Sequence, residues 1–234
     1  MLLFLGCKYS GRNRGQEMKN PEKVRKYCVC QKKAVTLRAF LYKNGKQERK
    51  VTIMTSIEVN GRVFDEYVSA QKIAECVKKV AERINTDYAG KKPLFICVLN
   101  GAFMYASDLF KQIELPTEIT FVRLKSYEGT ATTGDVKILN PLTVDVKNRD
   151  VIVIEDIVDT GLTMHGFVKY LKEQGANSVE ITSFLFKPEA LRYADAEPKY
   201  IGLEIPTKFV LGYGLDYDEM GRNLSALYVL RDKR

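Results

Sequence analysis

The sequence predicts an α/β protein with a mainly parallel central sheet that helices cover on both faces. Short runs of apolar, β-favouring residues alternate with longer segments in which apolar residues recur every three or four positions. The runs at 93–99 and 150–155 have apolar interiors, as expected for strands that are buried on both sides. This alternation is typical of strand–helix–strand units, in which ligands bind at the carboxyl ends of the strands.

From residue 57 onward, each predicted element is marked by its own pattern. Asn60-Gly61 separates two short β-type runs and predicts a hairpin, and Ser69 is expected to cap the first helix. The small, polar residues 126–137 predict a mobile loop, and Gly175 marks the end of the last helix. The expected order is a hairpin at 57–64, helices at 69–84, 102–113 and 163–175, and strands at 93–99, 118–124, 150–155, 178–186, 199–205, 208–213 and 226–230.

The positive charge of the chain is confined to its first quarter. The formal net charge is +8, yet residues 1–53 carry 14 Lys and Arg against 3 Asp and Glu, whereas the remainder carries 23 against 26. We therefore interpret 1–53 as a basic N-terminal extension, either poorly ordered or a non-native start that precedes Met54, and 54–234 as one domain. The mildly acidic domain argues against a nucleic-acid partner.

Neither a membrane partner nor an oxidising compartment is indicated. No apolar run approaches the roughly 18 residues that a membrane span needs. Cys76 and Cys97 lie in apolar patterns and are expected to be free, buried thiols, which fits a reducing cytoplasm.

Three acids stand at the end of a predicted buried strand, in the stretch VIVIEDIVDTGLTM at 151–164. The turn that follows offers free backbone N–H groups, a positive helix end and hydroxyls, which suit a phosphate. Carboxylates accept hydrogen bonds from sugar hydroxyls and bind Mg²⁺. The pattern therefore predicts a phosphorylated sugar as ligand. The sequence contains neither GxxxxGK[ST] nor a GxGxxG after a strand, which argues against a P-loop or dinucleotide site.

This stretch resembles the phosphoribosyl-pyrophosphate (PRPP) motif of the type I phosphoribosyltransferases, and most closely that of the hypoxanthine-guanine phosphoribosyltransferases. Further support comes from VLNGAFMYASDL (98–109), FVRLKSYEGTATTGDVKIL (121–139), FLFKPEA (184–190) and KYIGLEIPTKFVLGYGLDYDEMGRNL (199–224), and the resemblance covers about 57–231. It implies the type I phosphoribosyltransferase fold, with a small hood formed by N- and C-terminal segments. It also implies cytoplasmic purine salvage by a homodimer or homotetramer.

The activity that the resemblance implies is Mg²⁺-dependent transfer of the 5-phosphoribosyl group from PRPP to a 6-oxopurine. Hypoxanthine would give IMP, guanine would give GMP, and pyrophosphate would be released. Asp159 would act as general acid/base at the purine N7. Glu155 and Asp156 would hold the ribose hydroxyls and are also possible metal ligands, and the segment Thr160, Gly161, Leu162 and Thr163 would cradle the 5′-phosphate.

The remaining implied roles concern pyrophosphate, purine, metal and lid. Asn100 and Gly101 match the pyrophosphate loop, where the family has a cis peptide and often Lys or Arg before Gly. Because Asn100 is uncharged, it stays open whether this residue helps to neutralise pyrophosphate. The others are Arg222 for pyrophosphate, Asp216 for Mg²⁺, Lys187 for the purine 6-oxo group, Phe209 for stacking, the Val210 backbone for the purine edge, and Ser126 and Tyr127 for the start of a lid loop.

Some questions stay open at this level. A regulator that keeps this fold but binds nucleotide and RNA is the alternative, favoured only by the basic extension. An adenine- or orotate-specific relative conflicts with Lys187. His165, the only histidine, is expected on a helix surface without an acidic partner. The relative use of hypoxanthine, guanine and xanthine is not fixed by the residues.

Overall fold

The computed structural model describes residues 38–39, 53–126, 136–140 and 142–231. The regular structure of these residues consists of three α-helices, two short 3₁₀ helices and three sheets of six, four and two strands. In chain order the elements are β1 (Arg38–Ala39), β2 (Ile53–Met54), β3 (Ser56–Val59), β4 (Arg62–Val68), α1 (Ala70–Asp87), β5 (Leu94–Leu99), α2 (Phe103–Phe110), β6 (Glu118–Ser126), β7 (Val136–Ile138), β8 (Asp150–Val158), α3 (Leu162–Glu173), β9 (Ser178–Phe186), β10 (Tyr200–Glu204), β11 (Val210–Leu211) and β12 (Leu227–Leu230). A two-residue ladder between β1 and β2 stands apart from the other two sheets.

The central sheet has six strands in the order β10-β9-β8-β5-β6-β7. The first five are parallel and β7 is an antiparallel edge strand. Alternate side chains of the buried strands point to opposite faces of the sheet, so each strand contributes residues to two hydrophobic cores. Phe95 and Cys97 pack with α1 and α2 on one face, whereas Leu94 and Ile96 pack with α3 on the other. This confirms the predicted α/β sheet covered on both faces.

The second sheet forms the hood. Its four strands lie in the order β11-β12-β4-β3 and are antiparallel, so the segments 56–68 and 210–230 meet in one small layer. Phe64 and Leu211, both fully buried, anchor its core. The predicted hairpin is its β3–β4 turn, where Asn60 and Gly61 both have positive φ, as a tight hairpin turn requires.

Several expectations about element boundaries were wrong, and the helix expected at 102–113 ends at Phe110. Strand β8 does not stop at Glu155 but runs on to Val158, because β9 pairs with it as far as Val158 opposite Phe186. Val136 and Lys137 were expected in a loop, yet they belong to β7, which pairs with the end of β6. The first helix is as expected, since the Ser69 side chain accepts a hydrogen bond from the Lys72 backbone N–H at 3.3 Å.

A chain that starts at Met54 should keep its fold and its activity. Within the described residues, β1 pairs only with β2, and most of the predicted extension 1–53 lies outside them. We expect the truncated protein to match the full chain in melting temperature and in kcat/KM, measured side by side. Loss of either property would show that the extension belongs to the working domain.

No helix in the described part of the chain is long and apolar enough to cross a membrane.

Candidate active site

The carboxyl ends of β5 and β8 open a crevice at the centre of the sheet. From β5 the chain adds β6 on one side and later adds β8, β9 and β10 on the other, which makes this the point where the winding direction changes. Pairing between β5 and β8 ends at Cys97 opposite Ile154. Glu155 and Asp156 come directly after that last pair, so they line the gap where ligands of doubly wound sheets bind.

This crevice contains a pocket of about 320 Å³. It brings together residues from four separate stretches of sequence, which are the ends of β5, β6 and β8 and the start of α3. The lining residues are Val98, Leu99, Asn100, Gly101, Leu124, Lys125, Glu155, Asp156 and Thr163. The predicted pyrophosphate loop, acid pair and phosphate turn therefore share one cavity.

Burial disfavours the ionised forms of the two acids in the pocket. Burial raises the pKa of Glu155 well above its usual range, and the neighbouring charge of Asp156 raises it further. Burial also raises the pKa of Asp156, although hydrogen bonds from Glu155 and from the Ile157 backbone N–H (2.8 Å) oppose that rise. Glu155 Oε2 is buried and has no hydrogen-bond partner among the described residues.

The predicted pyrophosphate loop, Asn100 and Gly101, lies directly against Asp156. The peptide bond between Leu99 and Asn100 is cis. A Cβ atom on Gly101 would come within 1.5 Å of Asp156 Oδ2, so only glycine lets the carboxylate approach this backbone. From the other side, Gly214 of the hood packs so closely that a Cβ atom there would meet the Gly101 carbonyl oxygen at 2.0 Å. The loop is therefore in close contact with Asp156 on one side and with Gly214 of the hood on the other.

The predicted phosphate turn leads into the N-terminus of helix α3. The helix begins at Leu162 and its cap residue is Gly161, which has no side chain to cap it. The Thr160 hydroxyl accepts a long hydrogen bond, 3.4 Å, from the Leu162 backbone N–H. Thr163 reaches the pocket. N–H groups and hydroxyls at a positive helix end form an anion site.

Asp159 and Lys187 form an ion pair at the ends of adjacent strands. Because Val158 pairs with Phe186 across β8 and β9, the next residue of each strand is brought side by side. Lys187 Nζ lies 2.6 Å from Asp159 Oδ2, and the Lys187 backbone N–H donates to the Val158 carbonyl at 3.0 Å. The Lys187 side chain is only 10% exposed, whereas that of Asp159 is 44% exposed. The acid therefore faces outward while the lysine is held in place.

Phe209 presents an exposed ring from the hood. It is 47% exposed, and its ring lies edge-on to that of Tyr217 and beside that of buried Phe64, with centroids 5.7 and 6.2 Å away. Arg62 in turn lies over the Tyr217 ring. Val210, the next residue, is buried and pairs with Val229 in the hood sheet. A fixed aromatic face with open space above it can stack on a flat ligand.

Asp216 and Arg222 are bound to each other in the hood. Arg222 Nη2 lies 2.8 Å from Asp216 Oδ1 and 3.1 Å from Glu219 Oε2, and Nη1 donates to the Gly214 carbonyl at 3.0 Å. The positive charge of Arg222 also slightly opposes the rise in the pKa of Asp156. Through Gly214, these residues are connected to the pyrophosphate loop.

The structure brings part of the predicted set together in the pocket, whereas Asp159, Lys187, Phe209, Asp216 and Arg222 are not among the residues that line it. Tyr127 lies outside the described residues, as does the side chain of Ser126, so the predicted lid loop stays a prediction. Sequence reasoning missed Lys125 as a pocket residue, although it was part of a quoted motif. It was also wrong about His165, whose Nδ1 lies 2.7 Å from Asp195 Oδ1 and whose ring stacks on Tyr193. No signal in the sequence joins these residues, because they are about 30 positions apart.

Comparison with known proteins identifies relatives of the whole α/β region. The family described as "Phosphoribosyl transferase domain" matches residues 63–218. A curated hypoxanthine-guanine phosphoribosyltransferase of Streptococcus thermophilus is 40% identical over 166 residues, which cover 70% of this chain and 92% of the relative.

Solved structures agree with this similarity. A crystal structure of a hypoxanthine-guanine phosphoribosyltransferase from Bacillus anthracis, with HEPES in the active site, has a TM-score of 0.67 and 35% identity, covering 72% of this chain and 97% of that one. The hypoxanthine phosphoribosyl transferase of Trypanosoma cruzi, studied for the role of its C-terminal region in oligomeric state and activity, also has a TM-score of 0.67, with 32% identity over 71% of this chain and 90% of that one.

Proposed function

Because the chain belongs to the phosphoribosyl transferase family, we propose that its pocket transfers the 5-phosphoribosyl group of PRPP to hypoxanthine or guanine in purine salvage. The chain is an enzyme of the hypoxanthine-guanine phosphoribosyltransferase type. One observation carries the assignment to this site, namely that the acid pair, the pyrophosphate loop and the phosphate turn line a single cavity. The relatives reported above are all named as transferases, so nothing in them favours the RNA-binding alternative.

The Asp159–Lys187 pair suits one edge of a 6-oxopurine. O6 of such a base accepts a hydrogen bond, whereas the adjacent N7 donates one when it carries the proton of the free base. Lys187 would donate to O6, which selects against the amino group of adenine. Asp159 Oδ2, now 2.6 Å from Lys187 Nζ, would exchange that partner for the N7–H and accept its proton as the bond from N9 to C1′ forms. Phe209 would stack on the base.

The acid pair would serve the ribose. Glu155 and Asp156, which both line the pocket, would accept hydrogen bonds from the ribose hydroxyls. As the bond to pyrophosphate breaks, positive charge develops on the ribosyl group, and an anion beside it stabilises that charge. The N–H groups and hydroxyls of 160–163 would hold the 5′-phosphate, while Asn100, Gly101 and Arg222 would hold pyrophosphate.

Mg²⁺ is the metal we propose for this site. Mg²⁺ is usually bound by one or two carboxylates together with substrate phosphates and water, and Glu155 and Asp156 line the pocket. Asp216, with Glu155 or Asp156, would be its protein ligands. When bound, it would neutralise charge on the phosphates of PRPP.

Steady-state assays test the function directly. We expect nucleotide formation from hypoxanthine and guanine with PRPP and Mg²⁺, measured by chromatography, and no AMP from adenine. Chelation of Mg²⁺ with EDTA should abolish turnover, and added MgCl₂ should restore it. Turnover of adenine at the rate of hypoxanthine would contradict the role of Lys187, and full activity in EDTA would contradict the metal requirement. A parallel assay with xanthine would show whether this third 6-oxopurine is also a substrate.

We also propose a cytoplasmic location and a homodimer or homotetramer. Cys76 and Cys97 are both free and buried, as expected for a protein of a reducing compartment. The resemblance alone suggests the oligomer, which light scattering of the purified protein would determine.

A further inference from the structure

One buried side chain joins the hood to the core of the central sheet. Leu211, the last residue of β11, packs in the core of the hood. Tyr213, two residues later, packs instead in the core that α1 and α2 form on the central sheet. Its ring centroid lies 4.7 Å from that of Phe184 on β9. The side chain of Tyr213 therefore belongs to the central core, although its backbone belongs to the hood.

The hydroxyl of Tyr213 forms a hydrogen bond across this boundary. It donates to Asp108 Oδ2 at 2.9 Å. Asp108 is on α2, the helix that begins at Phe103, directly after the predicted pyrophosphate loop. A hydrogen bond to a carboxylate is about twice as strong as one between neutral groups. The bond therefore fixes the hood to α2 at one point.

The backbone around Tyr213 has an unfavourable conformation. Gly212, Tyr213 and Gly214 all have positive φ, at 104°, 50° and 100°. Glycine adopts such angles freely, whereas a residue with an aromatic side chain rarely does. A turn of this kind persists only where its surroundings hold it in place. The hydrogen bond to Asp108 is one such constraint.

This turn is in contact with the candidate active site. Gly214 packs so closely that a Cβ atom there would meet the Gly101 carbonyl oxygen at 2.0 Å. The Gly214 carbonyl accepts a hydrogen bond from Arg222 Nη1 at 3.0 Å. The positive charge of Arg222 in turn opposes the rise in the pKa of Asp156. Movement of the turn would therefore alter both the packing on Gly101 and the charge near Asp156.

We propose that Tyr213 is a positioning residue of the active site, which acts by anchoring the hood turn 212–214 to α2 through Asp108. Its hydroxyl contacts no substrate. Without the anchor, the turn leaves Gly101 in a fraction of the molecules, and those molecules bind PRPP poorly. Bound PRPP selects the packed arrangement, so KM for PRPP rises while kcat is nearly retained. This inference rests on the proposed function, because it takes the crevice as the PRPP site.

The test compares Tyr213→Phe with wild type, since this change keeps the ring and removes only the hydroxyl. We expect KM for PRPP to rise about 10-fold, as for loss of one hydrogen bond to a charged group, and kcat to stay within about threefold. Asp108→Ala should have the same effect. Asp108→Asn retains an oxygen that can accept the bond and should keep most of the affinity. An unchanged KM for PRPP in Tyr213→Phe, or a loss confined to kcat, would overturn the inference.

Tyr200→Phe is the matched control. Tyr200 is also buried, and its hydroxyl donates to Asp87 Oδ2 at 2.8 Å. It lies on β10, the far edge strand of the central sheet, and does not line the pocket. The variant should lower the melting temperature about as much as Tyr213→Phe does and leave KM for PRPP unchanged. An equal rise of KM in both variants would reduce the effect to general destabilisation and refute the anchoring role.

Two further measurements isolate the anchor. Tyr213→Phe combined with Asp108→Ala should raise KM for PRPP no more than either change alone, and additive rises would show that the two residues act independently. Hydrogen exchange of the substrate-free protein, followed by mass spectrometry, should become faster at 100–103 and 212–216 in Tyr213→Phe but not in Tyr200→Phe. Unchanged exchange there would contradict the anchor, whether or not the protein is active. Absence of turnover in wild type would refute only the proposed function.

Discussion

Replacing Asp159 by Asn should lower kcat by about 10²- to 10⁴-fold, the usual contribution of a positioned general base. KM values for PRPP and hypoxanthine should stay within a few-fold of wild type. The physical reason is that Asn has the same shape and can still accept a hydrogen bond from Lys187 Nζ, which lies 2.6 Å from Asp159 Oδ2, but it cannot take a proton from the purine. Steady-state kinetics with each substrate varied in turn would measure the two effects separately.

The controls for this variant address charge and stability. Asp145→Asn removes one negative charge from an exposed position outside the pocket and should leave kcat unchanged. Because Lys187 is only 10% exposed, Asp159→Asn should also destabilise the fold by about 1–3 kcal/mol, the cost of a buried charge that loses its charged partner. Near-normal turnover in Asp159→Asn would mean that the general-base role is wrong, whatever happens to stability.

The architecture was largely predictable because its signals are local. Apolar runs and helical spacing mark the strands and helices, and Asn60-Gly61 marks a turn that needs two residues at positive φ. The errors lie where tertiary pairing overrides local preference. Glu155 and Asp156 are poor strand residues, yet β8 continues through them because β9 provides partners on one side. Val136 and Lys137 become strand only through pairing with the end of β6.

Residues for the candidate site could be proposed from the sequence, but their arrangement in space could not. The acidic turn carries its chemistry within one short stretch, so the sugar-phosphate ligand could be inferred from it. The Asp159–Lys187 contact depends on the register of β8 and β9, which no sequence pattern specifies. Lys125 becomes a pocket residue only because β6 lies next to β5. Contacts between distant segments, such as His165 with Asp195, likewise need the folded chain.

Gly101→Ala should be the most damaging conservative change in the pyrophosphate loop. The added Cβ would lie 1.5 Å from Asp156 Oδ2 and 2.5 Å from its Cγ, so either the carboxylate or the loop must move. A displacement of about 1 Å at a reacting centre can cost about 10²-fold, and we expect kcat/KM for PRPP to fall by that amount. Gly90→Ala is the control, because nothing lies within 4 Å of its Cβ position. This variant should lower the melting temperature and leave activity unchanged.

The cause of that loss can be isolated with a double-mutant cycle. If the methyl group acts by pushing the Asp156 carboxylate aside, it should do little further harm once that carboxylate is gone. The Asp156 Cβ lies 3.3 Å from the added methyl, a tight but tolerable contact. We therefore expect Gly101→Ala combined with Asp156→Ala to be no worse than Asp156→Ala alone in kcat/KM for PRPP. Fully additive losses would show instead that the methyl group disrupts the loop itself, and that the close approach of Asp156 to Gly101 is incidental to its function.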